Sequence, residues 1–136
     1  MEHDDAHRAF KDGLYGQFAR IGKGLASPHR LEFLELLAQA ERTVVSLAKE
    51  TGLSLANASQ HLQALREAGL VESRKAGLFV HYRLADPSVL ELSQAIRVVA
   101  ERRLVELDRL VREHFADRSD PEPVGVDDLL ARIRAG

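Results

Sequence analysis

Asn57, Gln60 and Gln63 lie within the stretch SLANASQHLQALREAGL. Each ends in an amide that both donates and accepts, and that pair of functions matches the adenine edge in the DNA major groove. Stepping about 100° per residue from Leu62 places Leu55, Ala58, Leu65 and Gly69 in a narrow arc facing a core. Ala56, Asn57, Gln60, Gln63, Ala64 and Glu67 fall opposite, with Ser59 and His61 on the flanks. A solvated helix more often carries Lys, Arg and Glu on its outer face. Here amides stand among small residues, which let another surface approach closely. The competing reading is an ordinary polar surface. For His61 the choice lies between a phosphate contact and a local structural cap.

These residues need a scaffold, and the neighbouring punctuation supplies one. Ser54 suits the N-cap of their helix, and Gly69 suits its left-handed end. Upstream, Thr43 caps a shorter helix whose Val44, Leu47 and Ala48 look inward, and Gly52 ends it. Two helices joined by a tight glycine turn read as a helix-turn-helix. Downstream, residues 71–74 and 79–84 read as two strands around a Lys75-Ala76-Gly77 turn. Leu78, Val80, Tyr82 and Leu84 alternate there with Phe79, His81 and Arg83, a period of two. Such a hairpin makes the winged version of the motif. Arg74, Lys75 and Arg83 suit phosphate contacts, which position a protein without reading sequence. Their alternative role is plain solvated charge.

The remaining segments brace this unit. Ser27-Pro28 opens a helix with an inward stripe of Leu31, Leu34, Leu37 and Ala38, and Glu41-Arg42 follows as a linker. Phe10, Leu14, Phe18, Ile21 and Leu25, spaced 4, 4, 3 and 4, form one face of a first helix. Its glycines 13, 16, 22 and 24 weaken it and permit close approach of another backbone. It is expected to lie against a long helix over 87–117, either its own or a second copy's. Leu92, Ile96, Ala100, Leu104, Leu107, Val111 and Phe115 form one stripe of that helix, with Val98 and Val105 on the other side. A helix apolar on two sides is usually sandwiched. A homodimer through the N- and C-terminal helices follows, with Leu14, Phe18, Ile21, Leu104, Leu107, Val111, His114 and Phe115 at the seam. The competing arrangement is a monomer whose first helix covers the second side. His114 reads as a half-buried histidine at that seam rather than a ligand.

The expected class is mainly α with a small β-hairpin wing. Residues 1–9 read as a frayed or disordered tail, 10–117 as one DNA-binding and dimerisation domain, and 118–136 as a hinge with a short C-terminal helix. Net charge is −2 over 136 residues, but its distribution matters more than its total. Residues 54–84 hold four basic and two acidic groups, net +2, whereas residues 85–128 hold six and eleven, net −5. The chain has no cysteine, which removes disulfides and thiolate metal sites. No apolar run approaches the roughly 18 residues of a membrane span, and the polar start MEHDDAHRAFKDG does not read as a secretion signal. A cytoplasmic protein without membrane contact is expected. There is no nucleophile elbow, phosphate-cradling glycine loop or paired carboxylate, so neither enzymatic activity nor a cofactor is expected. His3, Asp4, Asp5 and His7 are the one candidate metal cluster, and a frayed tail is a poor place to hold one.

The stretches LASPHRLEFLELL and TVVSLAKETGLSLANASQHLQALREAGLVESRKAGLFVHYRL together resemble the ArsR/SmtB family of winged-helix repressors, over about residues 14–115. The resemblance implies a homodimer on an imperfect palindrome of double-stranded DNA, released by an inducer. It also implies base reading by Ser54, Asn57, Ser59, Gln60 and Gln63, and a wing tip at 75–78. The family's sensing sites do not carry over. Where some members hold a Cys-x-Cys motif, this chain has Thr43, Val44 and Val45. Of the Asp-x-His pair used by others, Asp86 stands, but Ser88 replaces its partner; one alignment puts Val99 and Arg102 at the other two positions, and a shift of one residue puts Val98 and Glu101 there, which serves no better. No metal site is therefore expected, and the inducer is not named by the sequence. The end, EPVGVDDLLARIRAG, resembles the segment that leads into a rhodanese domain in one subgroup. The competing reading is a winged-helix protein-interaction module that does not bind DNA.

Overall fold

The structure is a computed structural model that describes residues 2–116 and Ile133. The expected C-terminal hinge and short helix lie outside the described residues, Ile133 apart. The chain divides into two compact units, Met1–Glu91 and Leu92–Gly136.

In the first unit, α1 (Glu2–Gly24), α2 (Pro28–Gln39), α3 (Val44–Thr51) and α4 (Leu55–Glu67) precede a hairpin of β2 (Val71–Ala76) and β3 (Phe79–Leu84). Local chemistry sets most of these boundaries. Ser27 accepts from the Arg30 N–H and Pro28 opens α2; Thr43 accepts from Ser46 and Ser54 from Asn57, each capping its helix. Gly52 (φ 71°) and Gly69 (φ 78°) take the left-handed conformation at the ends of α3 and α4. At the second, Leu70 N–H reaches the Leu65 carbonyl and Gly69 N–H that of Arg66, satisfying two orphan carbonyls of α4.

Two features depart from expectation here. Helix α1 begins at Glu2, where a frayed tail was expected. Glu2, Asp4 and Asp5 complement the positive end of the helix dipole, and Arg8 pairs with Asp12 one turn on. The Glu41-Arg42 linker is in part a strand, β1 (Arg42–Thr43), paired antiparallel with β3 through Arg42↔Tyr82 and Thr43↔His81. The sheet therefore has three strands in the order β1-β3-β2.

Mainly aliphatic side chains fill the core around Phe33, with Phe33, Leu34, Leu47, Ala58, Leu62 and Leu65 almost wholly buried. Phe33 replaces Leu31 in the expected α2 stripe; Leu31 is half-buried. Helix α4 packs on α1, α2, α3 and β2. The contact with α1 needs Gly24, because a Cβ there would come within 2.7 Å of the Ala68 Cβ and 3.3 Å of the Leu70 Cδ1. Gly24→Ala is expected to destabilise the protein by about 1–2 kcal/mol, overpacking outweighing the gain in helix propensity. Urea denaturation at fixed protein concentration measures it, and an unchanged midpoint would refute the close contact.

Helix α5 (Pro87–Arg103) crosses from the first unit into the second, which also holds α6 (Val105–Ala116). One continuous helix was expected over 87–117; it is interrupted at Leu104, where Leu107 N–H bonds the Leu104 carbonyl in a tightened turn. No proline or glycine stands there. Charge favours the break: Arg102 and Arg103 close α5, and Glu106 and Asp108 open α6, so both new ends meet a complementary sign.

Candidate nucleic-acid interface

The outward side of α4 carries Ala56, Asn57, Ser59, Gln60 and Gln63, all exposed. Among the described residues, no side chain bonds the amides of Asn57, Gln60 or Gln63. Beneath them Ala58, Leu62 and Leu65 are buried and hold the helix in register. The expected wheel fails at two inner-arc residues: Leu55 is 54% exposed, standing in the first turn beyond the reach of the core, and Gly69, past the end of the helix, is exposed as well. Ser54 is exposed at the cap itself.

His61 turns inward. Its Nδ1 accepts from Arg30 Nε at 3.3 Å, and its ring lies 5.3 Å from that of His29 and edge-on to Phe33 at 6.2 Å. Arg30 also donates to the Lys23 and Gly24 carbonyls, which ties the end of α1 to α2 and α4. Arg20 adds a second tie by donating to the Glu67 carbonyl. Partial burial, then the Arg30 charge, then His29, hold the His61 pKa below its ordinary value. Between that lowered value and about 6.5 the unfolded chain binds more protons than the folded one. This stabilisation is present above pH 6.5 and lost as pH falls through the window. The urea midpoint is expected to drop from pH 7.5 to 5.5 through this group, and more steeply than in His61→Gln, whose amide oxygen can still accept from Arg30. Equal slopes would rule the histidine out.

The wing differs from expectation in length and in charge. β2 runs to Ala76, so the turn is only Gly77-Leu78, with Gly77 at φ 63° and Ala76 paired to Phe79. Arg83 binds Glu72 directly across the ladder, through Nη2 at 2.9 Å and Nε at 3.2 Å. Arg74 pairs with Glu41. Lys75 has no ion-pair partner among the described residues. Two of the three expected phosphate contacts are thus engaged with carboxylates.

The expected seam residues divide by exposure. Leu14, Phe18, Leu104 and His114 are exposed, Ile21, Leu107 and Val111 half-buried, and Phe115 buried. Phe115 also meets the His114 ring edge-on at 5.4 Å. Asp86, the one survivor of the family's metal pair, caps α5: its Oδ2 accepts from the Ser88 N–H at 2.8 Å. Hydrogen bonds from the Ser88 side chain and backbone hold its carboxyl below the usual range. Among the described residues no three His, Asp or Glu side chains converge on a point that could hold a metal ion.

Three helices, a fourth (α4) anchored by its own buried inner face, and a hairpin closed by a third strand define a winged helix-turn-helix. Residues 27–73 match the bacterial regulatory proteins of the arsR family. The chain is 45% identical over 126 residues to the HTH-type transcriptional regulator Rv0324 of Mycobacterium tuberculosis, covering 93% of this chain and 55% of that one. It thus spans about half the length of that relative. It is 33% identical over 94 residues to the probable mercury resistance operon repressor of Streptomyces lividans, covering 69% and 75% of the two chains. Among solved structures, the homodimeric winged helix-turn-helix DNA-binding domain (fragment 1–100) of Mb0332 from Mycobacterium bovis is 46% identical, with a TM-score of 0.66, covering 71% of this chain and 89% of that one. Rv0081 of M. tuberculosis is 40% identical, with a TM-score of 0.62, over 71% and 96%. The chain belongs to the arsR family.

Proposed function

We propose that this protein is a dimeric, sequence-specific transcriptional repressor of the cytoplasm that carries no enzymatic activity. The observation that carries this reading is the exposed α4 face, where Asn57, Gln60 and Gln63 present amides that have no side-chain partner among the described residues, above a buried anchor. Ser54, Ala56 and Ser59 line the same approach, with Lys75 as the wing cation that has no ion-pair partner among the described residues. His61, Arg74 and Arg83 contribute less than the sequence implied, since each is engaged within the fold. Residues 10–117 form the DNA-binding and dimerisation domain.

Dimerisation is supported by apolar side chains left in water by a single chain. These are Phe10, Leu14, Tyr15 and Phe18 on α1, and Val98, Val99, Leu104, Val105 and Leu110 on α5 and α6. The homodimeric Mb0332 domain supports it further. Two copies place recognition helices in successive major grooves of an imperfect palindrome, about 10 base pairs centre to centre. Release follows an inducer whose chemistry these residues do not specify.

Selection from a random duplex pool tests the reading. Enriched half-sites related by a dyad, bound by dimers and lost steeply with rising salt, are expected. Equal retention of selected and random duplexes at moderate salt would instead favour a module that binds protein.

A further inference from the structure

The wing tip presents an apolar point. Leu78 is 96% exposed, the most exposed large apolar side chain among the described residues, and Phe79 and Val80 beside it are also exposed. The two-residue turn and the ladder running up to Ala76↔Phe79 hold this point at the end of a paired hairpin. The wing's arginines face carboxylates, Arg83 with Glu72 and Arg74 with Glu41, which leaves Lys75 as its free cation among the described residues. Both pairs are exposed and therefore weak, but each sets a carboxylate beside a wing arginine and so reduces the wing's net pull on phosphate.

We infer that the wing holds DNA by packing: Leu78 enters the minor groove beside each half-site and rests on sugars and base edges, with Lys75 as its phosphate anchor. The inference rests on the DNA-binding reading and names a specificity-determining residue for it. The minor groove is the fitting occupant for three reasons. The wing and α4 belong to one compact unit and β2 packs on α4, so the two reach DNA as one body. The groove is about 6 Å wide and takes a narrow two-residue turn where it refuses a helix. Leucine is also among the apolar side chains that wedge between base steps there. Sequence preference follows from this contact. The guanine 2-amino group stands in the minor groove, where an apolar side chain gives it no acceptor, whereas A·T pairs carry no such group.

The test uses the dimeric protein and an operator taken from the random pool. Binding is measured across a salt series for the wild type, Leu78→Ala and Lys75→Ala. Leu78→Ala is expected to weaken binding roughly fivefold to thirtyfold at every salt concentration, from lost apolar burial. Its slope of log affinity against log salt should match the wild type, because an uncharged contact releases no counterions. Lys75→Ala should flatten that slope by about one unit per subunit. Replacing flanking A·T pairs by G·C should weaken the wild type, and I·C, which lacks the 2-amino group, should restore it. Leu78→Ala should be indifferent to both changes.

Wild-type affinity in Leu78→Ala, or equal behaviour of G·C and I·C flanks, would overturn the inference. A pool that yields no enriched sequence would instead overturn the DNA-binding reading beneath it. Because Leu78 stands in solvent, its replacement leaves the fold intact, and circular dichroism verifies this.

Discussion

Leu62→Ala is expected to lower the stability of the folded protein by about 2–5 kcal/mol. Leu62 is wholly buried on the inner side of α4, level with Ala58 and Leu65 and within the same core as Phe33, Leu34 and Leu47. Removing three carbons leaves a cavity whose walls are short aliphatic chains already packed against other elements, so collapse recovers little. Domains of this size are stable by only about 5–15 kcal/mol, so this one change takes a large share. It also loosens the anchor that sets the angle of the recognition face, and operator affinity should fall with stability. Leu55→Ala is the matched control: it lies one helical repeat away at 54% exposure and should shift stability by no more than about 0.5 kcal/mol. Urea denaturation at a fixed protein concentration reads both, since association contributes to apparent stability. Equal midpoints for the two variants would show that α4 is not seated as described.

The second large effect separates reading from folding. Asn57→Ala and Gln60→Ala should each leave the unfolding midpoint and the dimer unchanged, because both side chains are exposed and bond nothing among the described residues. Specific affinity should fall by about 1–3 kcal/mol for each, close to fivefold to 150-fold, with preference relaxed at one base position per half-site. Affinity for random duplexes and the salt slope should stay as in the wild type, since no charge is removed. Competition binding with operators substituted singly at each position measures this. A uniform loss across all sequences would mean that these amides touch the backbone rather than bases.

What could be read from the sequence was governed by the range of the interaction. The caps at Ser27, Thr43 and Ser54 and the ends at Gly52 and Gly69 depend on groups within four residues, and each stands where the punctuation put it. The outward face of α4 follows from a single period, and Leu55 and Gly69 at its two ends escape it, because a wheel does not know where the core stops. Non-local pairing is different. β1 is two residues long and has no periodicity of its own; it exists because Tyr82 and His81 offer a ladder some 40 positions on. The loss of Arg83 and Arg74 to carboxylates likewise depends on register, Glu72 facing Arg83 and Glu41 lying beside the hairpin. The interruption at Leu104 was written locally, in the change from Arg102-Arg103 to Glu106 and Asp108. A search for apolar stripes passes over that signal, because both halves keep their spacing.

Thr43 joins two roles within one residue. Its side chain accepts the Ser46 N–H at the start of α3, and its backbone pairs with His81 in the strand behind the wing. The helix-turn-helix and the wing therefore share an origin of measurement. Changes of chain length should be tolerated very unequally along this stretch. Extra residues at Gly77-Leu78 would lengthen an exposed loop and leave the fold standing, although they would displace Leu78 from the tip. One residue gained or lost at Arg42-Thr43 would turn the strand over and carry the cap out of reach of α3. Across natural variants of such a chain, changes of length should be missing from the short step between α2 and α3.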